Sequence, residues 1–194
     1  MKPIYRTIEH MLDMIDEPNG SICKKILSDN KKLFQTVQGS SNNHQAWPGG
    51  YLDHVREIMN IAIVLYEKLN SIRPLLFPLS DLLLVLFFHD IEKPWKYELL
   101  ENGTLQYKES MKTKADHQAF RITKLAEYGI VLTADQKNGI EYAKGEINDH
   151  SNFFRAMGPL ATVAHMCDVA SARLWFNYPL EENDPWTDAG RIRD

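Results

Sequence analysis

The chain has 194 residues, of which 44% are hydrophobic and 25% are charged, and its formal net charge at pH 7 is -4. This composition is typical of a soluble globular protein with one sizeable core, so we expect a single helical domain over residues 1–176 and a polar C-terminal tail over residues 177–194. The acidic balance gives no sign of a nucleic-acid-binding face, and no apolar segment reaches the ~20 residues of a membrane span or forms a secretory signal.

The N-terminal segment is predicted to contain two amphipathic helices, over residues 4–15 and 21–34, because their apolar residues recur with helical spacing. Ser21 has the side chain expected of an N-cap for the second helix. We expect these N-terminal helices, within residues 1–36, to pack on the core of the same domain. A polar loop rich in Gly, Ser and Asn then leads into the next helix.

The two most strongly predicted core helices cover residues 51–69 and 79–89. Apolar residues lie on two sides of the first of these helices, which predicts burial on both sides, and His54 lies within one of the two apolar stripes. Ser80 is the predicted N-cap of the second helix. That helix is expected to end before Pro94, because proline disfavours helical geometry at the residue that precedes it.

The second half of the chain is predicted to be helical apart from one hairpin. Loosely alternating residues around Asn102-Gly103 predict a small β-hairpin near residues 97–107. Three further helices are predicted, over residues 115–128, 134–144 and 159–176. Thr133 caps the second of them and Pro159 lies in the first turn of the third. The predicted fold class is therefore all-α, a helical bundle of five or more core helices with one small hairpin.

An imidazole and a carboxylate, His89 and Asp90, follow directly after a long apolar run. Neighbouring residues of a helix point about 100° apart, so this pair binds one ion only where a helix ends, as Pro94 predicts here. A mixed nitrogen and oxygen donor set suits a divalent transition metal such as Mn, Fe, Zn, Co or Ni rather than Ca. The alternative interpretation is a helix cap or a surface ion pair.

Two further polar side chains, His54 and Asp168, lie on otherwise apolar helices. For His54 the alternative interpretation is a core histidine whose hydrogen bonds are satisfied. An isolated carboxylate is very costly away from water, and no Lys or Arg lies three or four positions from Asp168 on its helix. A metal ion would supply the missing cation. His165, one turn before Asp168, is a weaker candidate that would contact a ligand rather than the ion.

The motifs GGYLDHV, FFHDIEKPW and AHMCDVASA occur in this order and resemble the HD-domain metal-dependent phosphohydrolases, whose pattern is H…HD…D. The resemblance covers about residues 44–175 and implies an all-α HD-type domain. The metal ligands that it implies are His54, His89, Asp90 and Asp168. It also implies contact between Lys93 and a substrate phosphate. The residue before this lysine is usually glycine in the family, whereas here it is Glu92.

Some HD-domain proteins carry two more histidines and hold two metals, and His117 and His150 lie in the corresponding gap of this sequence. The resemblance therefore implies that both are additional ligands and that one or two ions are bound. The alternative for each is a surface histidine. The segment NNHQAWPGGYLDH further resembles the opening of HD proteins that include 3′–5′ exoribonucleases. We expect His44 to line a substrate cleft and Trp47 to stack on a base, with simple packing as the alternative.

The resemblance implies a metal-dependent phosphohydrolase that cleaves a phosphate ester or anhydride bond of a nucleotide-type substrate with metal-activated water. Asp90 and Lys93 are the predicted catalytic residues. Substrate contacts are predicted for His44, Trp47, Arg56 and Lys93, with Lys112 and Lys114 as further candidates to neutralise phosphate charge.

Two other functions are left open: a phosphodiesterase or 3′–5′ nuclease acting on short oligonucleotides or cyclic dinucleotides, and a non-catalytic HD regulatory module. Cys23 and Cys167 have no partner spacing and are interpreted as reduced thiols of a cytoplasmic protein. The expected partner is a small phosphorylated substrate and no membrane is expected; association with a second copy of the chain is left open.

Overall fold

The structure is a computed structural model in which residues 3–40, 43–99, 105–146, 151, 153–179 and 184–192 are described. Within these residues the chain forms eight α-helices and a two-stranded antiparallel sheet. The helices are α1 (Ile8–Leu12), α2 (Asn19–Asp29), α3 (Lys31–Thr36), α4 (Gly50–Ile72), α5 (Leu79–Phe88), α6 (Lys114–Glu127), α7 (Ala134–Tyr142) and α8 (Pro159–Val169). The strands are β1 (Tyr97–Leu99) and β2 (Leu105–Tyr107). The predicted all-α bundle is confirmed.

The N-terminal segment contains three short helices where two were predicted. The helix predicted over residues 21–34 is divided at Asn30, whose φ of -116° and ψ of 14° leave helical geometry between α2 and α3. Ser21 is not the N-cap, because α2 begins at Asn19 directly after Pro18. The proline ring holds φ at a helix-compatible -84°, so the helix starts two residues earlier than predicted. The Ser21 hydroxyl donates to Glu17 instead, at 2.8 Å.

The core is built around α5, which has buried side chains on all of its faces, as its Leu- and Phe-rich sequence requires. Helices α4, α7 and α8 pack around α5, and α7 and α8 also pack on each other. A Cβ at Gly139 in α7 would lie 2.7 Å from Val85 Cγ2, so the absence of a side chain there permits the close approach of α7 to α5. Across the described helices, none combines the length and the apolar character needed to cross a membrane.

Two helix ends place side chains for the site. Helix α5 ends at Phe88, so His89 and Asp90 lie immediately beyond it, before a 3₁₀ turn over Lys93–Trp95 that contains Pro94. The last predicted helix, over residues 159–176, is α-helical only to Val169 and continues as a π-helical turn over Ala170–Leu174. Apolar periodicity does not distinguish these two helix types, so the change of geometry was not predicted.

The remaining local predictions agree with the structure where it is described, with the exception of the N-cap of α5. Thr133 caps α7 in a capping box with Gln136, and Pro159 is in the first turn of α8. Strands β1 and β2 pair within the segment predicted as a hairpin, with Tyr97 opposite Tyr107. The predicted turn at Asn102-Gly103 lies outside the described residues. Ser80 is not the N-cap of α5, since Pro78 holds that position and the Ser80 hydroxyl accepts from Asp16 N at 2.8 Å.

Part of the polar C-terminal tail packs on the domain itself. The Ile192 amide donates to Asp53 Oδ1 at 2.6 Å, and an Arg56 nitrogen donates to the Gly190 carbonyl at 3.0 Å. The Tyr5 amide donates to the Thr187 carbonyl at 2.9 Å. Residues 184–192 therefore join the N-terminal segment to α4.

Candidate metal centre

Three side chains from different parts of the chain converge on one point in the core. His54 lies in α4, His89 lies just beyond α5 and Asp168 lies in α8. One potential ligand atom from each residue is within 4.8 Å of the other two. His54 Nε2 is 3.1 Å and His89 Nε2 is 3.7 Å from Asp168 Oδ1. A cation with ligand distances of about 2.0–2.2 Å fits among donors spaced on this scale.

The Asp90 carboxylate faces the same point. Its Oδ2 lies 3.2 Å from His89 Nε2 and 4.0 Å from His54 Nε2. Two lysines also contact this carboxylate: Lys93 Nζ lies 2.6 Å from Oδ2, and Lys144 Nζ lies 2.5 Å from Oδ1. The structure thus brings together the predicted ligands His54, His89, Asp90 and Asp168, and it places Lys93 beside them.

Neither imidazole Nε2 of the cluster forms a hydrogen bond within the described part of the chain, although both atoms are buried. The carboxylate oxygens are close, but they do not lie in a hydrogen-bonding direction. His89 Nδ1 is 2.7 Å from the Leu86 carbonyl, which only accepts, so Nδ1 carries a proton and Nε2 presents a lone pair when the ring is neutral. Buried polar atoms seldom stay unpaired, and a metal-ligating histidine typically donates its other nitrogen to such a carbonyl. The donor set therefore fits a transition metal.

The protonation states also suit metal binding. Burial lowers the pKa of His54 to about 4, so this imidazole is neutral at pH 7. Burial alone would raise the pKa of Asp168, but the neighbouring His54 and His89 outweigh it and hold that pKa at about 2. Burial likewise opposes ionisation of Asp90, yet Lys144 and Lys93 keep its pKa well below the usual range. Burial lowers the pKa of His89, but Asp90 and Asp168 outweigh burial and raise it, so a cation that binds here displaces a proton from His89 Nε2. Two ionised carboxylates and neutral imidazoles are the forms that bind a cation.

Several basic side chains surround Glu92, a buried carboxylate near Asp90. Its Oε1 lies 3.2 Å from Lys144 Nζ and 3.7 Å from Lys96 Nζ, and its Oε2 lies 3.7 Å from Arg121 Nε. Together with Lys93, these side chains place four cations around the carboxylates of Asp90 and Glu92. The corner of the metal centre is therefore locally cationic although the whole chain is acidic. Glu92 lies within 4 Å of three of these four cations.

His44 and His117, two of the predicted histidines outside the cluster, are placed differently. The His44 ring centroid lies 4.7 Å from that of His54, so His44 borders the cluster, and its place in a substrate cleft stays a prediction. His117 Nε2 contacts the Met111 carbonyl at 2.8 Å and is not part of the cluster. His150 lies outside the described residues, so its role as a ligand, like that of His117, stays a prediction.

Trp47 and Arg56, two of the predicted substrate contacts, bind elements of the fold. Trp47 Nε1 donates to Asp53 Oδ2 at 2.7 Å. Arg56 Nε donates to the Arg6 carbonyl at 2.8 Å, in addition to its contact with the C-terminal tail. Their contacts with substrate stay predictions.

Two of the three weaker candidates have partners elsewhere. Lys112 pairs with Glu109 at the surface, and His165 Nδ1 lies 3.0 Å from the Ala143 carbonyl rather than on Asp168. The Lys114 side chain is outside the described part of the chain.

Several residues of the site were not predicted from the sequence. Lys144 and Arg121 are two of 22 basic residues, and nothing near them in the sequence indicates a buried partner. Glu92 gave the only usable signal, since a carboxylate within an apolar motif requires a cation, although it does not identify which one. The sequence analysis also did not identify three residues that lie behind His54, namely Gln45, Glu57 and Ser171. Their contacts depend on how α4 and α8 pack.

No model of a known protein family matches the chain, and searches among curated proteins and among solved structures likewise find no match. The chemistry of the site is therefore argued from its geometry.

Proposed function

We propose that this protein is a metal-dependent phosphohydrolase of the HD-domain type, which hydrolyses a phosphate ester or anhydride bond in a nucleotide-type substrate. One observation carries the proposal: the donor atoms of His54 in α4, His89 at the end of α5 and Asp168 in α8 meet at one point in the core. The order of these residues and the adjacent Asp90 match the H…HD…D pattern. Two buried imidazole nitrogens that lack a hydrogen bond in the described residues support a metal-binding role over a purely structural one.

The residues that would hold a divalent transition metal are His54, His89, Asp90 and Asp168. When bound, such an ion supplies Lewis acidity, which makes water a better nucleophile and polarises a phosphoryl oxygen. The Asp90 carboxylate is ionised at neutral pH and its Oδ2 faces the cluster, so it can accept a hydrogen bond from a water molecule there and orient it. Burial of the surrounding side chains keeps bulk water away from this position.

Lys93 and Lys144 are suited to bind the phosphate group. Their Nζ atoms each contact one oxygen of Asp90, so both charges lie beside the metal centre. The Lys144 side chain is 44% exposed, which places it between the buried carboxylate and the solvent from which a substrate arrives. Positive charges fixed beside a reacting phosphoryl group stabilise the negative charge of the transition state. The excess of cations around Asp90 and Glu92 thus favours an anionic substrate.

The nucleotide part of the proposal has weaker support. It rests on the sequence resemblance and on the half-buried His44 ring, which provides an aromatic face next to His54. A compact chain with acidic net charge favours a small nucleotide over a long polymer.

The proposal is tested by an activity screen of the full chain after chelation and reloading with Mn²⁺. The panel contains nucleoside mono-, di- and triphosphates, cyclic dinucleotides and short oligonucleotides, with products separated by chromatography. We expect Mn²⁺-dependent hydrolysis of at least one nucleotide, and a loss of more than ~100-fold in Asp90→Asn because the oriented water is lost. The control Asp135→Asn, at an exposed position of α7, should retain the wild-type rate.

Preferential cleavage of oligonucleotides or cyclic dinucleotides would instead support the phosphodiesterase alternative. A folded, Mn²⁺-loaded protein that hydrolyses none of these compounds would contradict the proposed activity.

A further inference from the structure

Gln45 is a fully buried polar residue with an unusual backbone conformation. Its φ of 40° lies in the left-handed region, which non-glycine residues seldom adopt unless surrounding contacts impose it. Those contacts are present: the Gln45 amide donates to the Phe176 carbonyl at 2.8 Å, and its carbonyl accepts from the amides of Gly39 and Trp47, both at 3.0 Å. The backbone therefore directs the Gln45 side chain into the space behind the metal centre.

The neighbours of the Gln45 side chain fix which way its amide group points. Nε2 lies 2.8 Å from the Tyr178 carbonyl, 3.0 Å from Glu57 Oε2 and 3.3 Å from the Trp175 carbonyl, all of which accept hydrogen bonds. The NH₂ group must face these acceptors, so Oε1 faces the other way, 2.8 Å from His44 Nδ1. Because Oε1 only accepts, His44 must carry its proton on Nδ1 and present a lone pair on Nε2 when neutral.

A second branch of the same network reaches His54. The Ser171 hydroxyl donates to Glu57 Oε2 at 2.7 Å, and its oxygen lies 3.1 Å from His54 Nδ1. Glu57 Oε2 also accepts from Gln45 Nε2, so the Glu57 proton, where it is held, is assigned to Oε1 and the single Ser171 hydroxyl proton is used on Oε2. The Ser171 oxygen then accepts from His54 Nδ1–H and from Gln45 Nε2, which lies 3.2 Å away. Nε2 of His54 is then the unprotonated nitrogen, and it is the atom that lies 3.1 Å from Asp168 Oδ1.

We infer that Gln45 and Ser171 are positioning residues that hold His44 and His54 as their Nδ1–H tautomers. This places the His54 lone pair in the metal centre and leaves His44 Nε2 as a proton acceptor beside it. The inference rests on the metal centre of the proposed function and extends it to residues that touch the imidazoles rather than the ion. In metal sites, residues that bind the far nitrogen of a ligating histidine typically change metal affinity by about 10–100-fold.

The first test reads the tautomers in the metal-free protein with long-range ¹H–¹⁵N correlation spectra of the histidine rings. We expect the wild-type His44 and His54 to be Nδ1-protonated. In Ser171→Ala the His54 signals should shift toward the other tautomer, in Ser171→Thr they should not, and Gln45→Ala should shift His44. Wild-type rings protonated on Nε2, or a Ser171→Ala spectrum identical to wild type, would overturn the inference. If Gln45→Ala does not fold, the wild-type spectrum alone tests the inference for His44, which requires an Nδ1-protonated ring.

The second test measures Mn²⁺ affinity by titration calorimetry. We expect Ser171→Ala to bind Mn²⁺ about tenfold more weakly and Ser171→Thr to restore binding, because threonine keeps the hydroxyl. The matched control is Ser80→Ala, which removes a buried hydroxyl that binds the Asp16 amide far from this network. Equal losses in Ser171→Ala and Ser80→Ala would reduce the role of Ser171 to general stability and overturn the inference. If wild-type protein binds no Mn²⁺, the proposed function fails, while the tautomer spectra still decide the positioning role.

Discussion

His54 Nε2 and Asp168 Oδ1 lie 3.1 Å apart, although α4 and α8 are far apart in the sequence. The two helices pack directly on each other, and the contact is 0% exposed on the His54 side and 17% on the Asp168 side. The His54 imidazole is neutral at pH 7, so the positive charge beside the Asp168 carboxylate comes from a third partner, which is His89 in the metal-free protein or a metal ion in its place. We therefore expect metal binding to be most sensitive to removal of the Asp168 charge.

The first prediction concerns Asp168→Asn, which removes that charge but keeps the shape of the side chain. We expect Mn²⁺ affinity to fall by more than ~100-fold, because loss of a direct ligand exceeds the 10–100-fold effect of outer partners. The melting temperature without metal should change little. Titration calorimetry measures the affinity, elemental analysis of the purified protein measures the metal content, and a thermal unfolding scan measures the melting temperature. Asp135→Asn is the surface control. Full metal content in Asp168→Asn would remove Asp168 from the ligand set.

The second prediction concerns Lys144→Gln, which should strengthen Mn²⁺ binding but lower activity on a phosphate substrate. Lys144 Nζ lies 2.5 Å from Asp90 Oδ1, so its positive charge repels a cation held by the same carboxylate. Removal of this charge should strengthen Mn²⁺ binding several-fold, since unit charges a few ångströms apart interact by about 1–4 kcal/mol near a protein surface. The same change should lower kcat/KM for a phosphate substrate by about 10–100-fold, because the phosphate loses a cation.

Calorimetry and steady-state kinetics on one preparation separate these two effects. The control is Lys25→Gln, which breaks a surface pair with Asp29 and should leave both quantities unchanged. If Lys144→Gln weakens metal binding and activity in parallel, Lys144 supports the fold of the corner rather than the substrate.

The members of the cluster could be predicted from the sequence because they break a strong local pattern. His54 and Asp168 stand out as polar side chains on apolar helices, and His89 and Asp90 stand out at the end of an apolar run. Burial of such groups requires compensation whatever the fold, so single-sequence reasoning identifies them.

The supporting residues carry no comparable signal. Glu57 and Ser171 belong to helical segments in which polar residues are ordinary, and they meet only because the π-helical turn Ala170–Leu174 rotates Ser171 toward α4. Gln45 lies in a polar loop, where its buried position and positive φ depend on contacts with residues 175–178. Local patterns identify which side chains must be buried, whereas long-range packing decides which of them meet.

The third prediction concerns the pH dependence of stability. Burial raises the pKa of Glu57 to about 8, although the Ser171 hydroxyl bond opposes the shift. The unfolded chain has a Glu pKa of about 4.3, so between that pH and 8 the folded protein holds a proton that the unfolded chain releases. The free energy of unfolding therefore falls as pH rises through this window, and the contribution is fully present only below it. Glu57→Gln, which is neutral at every pH, should lack this part of the decline.

Urea unfolding at pH 5, 6, 7 and 8 measures this contribution in the metal-free protein. As pH increases, the free energy of unfolding should fall less in Glu57→Gln than in the wild type. The control Glu67→Gln, at an exposed position on the same helix α4, should follow the wild-type curve. Parallel curves for Glu57→Gln and wild type would mean that Glu57 is ionised in the folded protein throughout this range.

The fourth prediction concerns Gly139→Ala, at the contact of α7 with α5 and α8. The new Cβ would lie 2.7 Å from Val85 Cγ2 and 3.3 Å from Leu160 Cγ. Val85 is β-branched and fully buried, so it has no free rotamer that relieves the contact. Alanine improves helix propensity by about 1 kcal/mol, but overpacking typically costs about 1–3 kcal/mol, so we expect a net loss in the free energy of unfolding.

A double-mutant cycle with Val85→Ala tests this cause directly. Val85→Ala alone should destabilise by creating a cavity, but it also makes room for a methyl group at position 139. In that background Gly139→Ala should become neutral or stabilising, which gives a favourable coupling energy of about 1 kcal/mol or more. Gly190→Ala is the control, because a Cβ there meets no atom within 4 Å and should change stability by less than about 0.5 kcal/mol. Additive effects at positions 85 and 139 would show that α7 can move away from α5 to accommodate the methyl group, and would contradict this prediction.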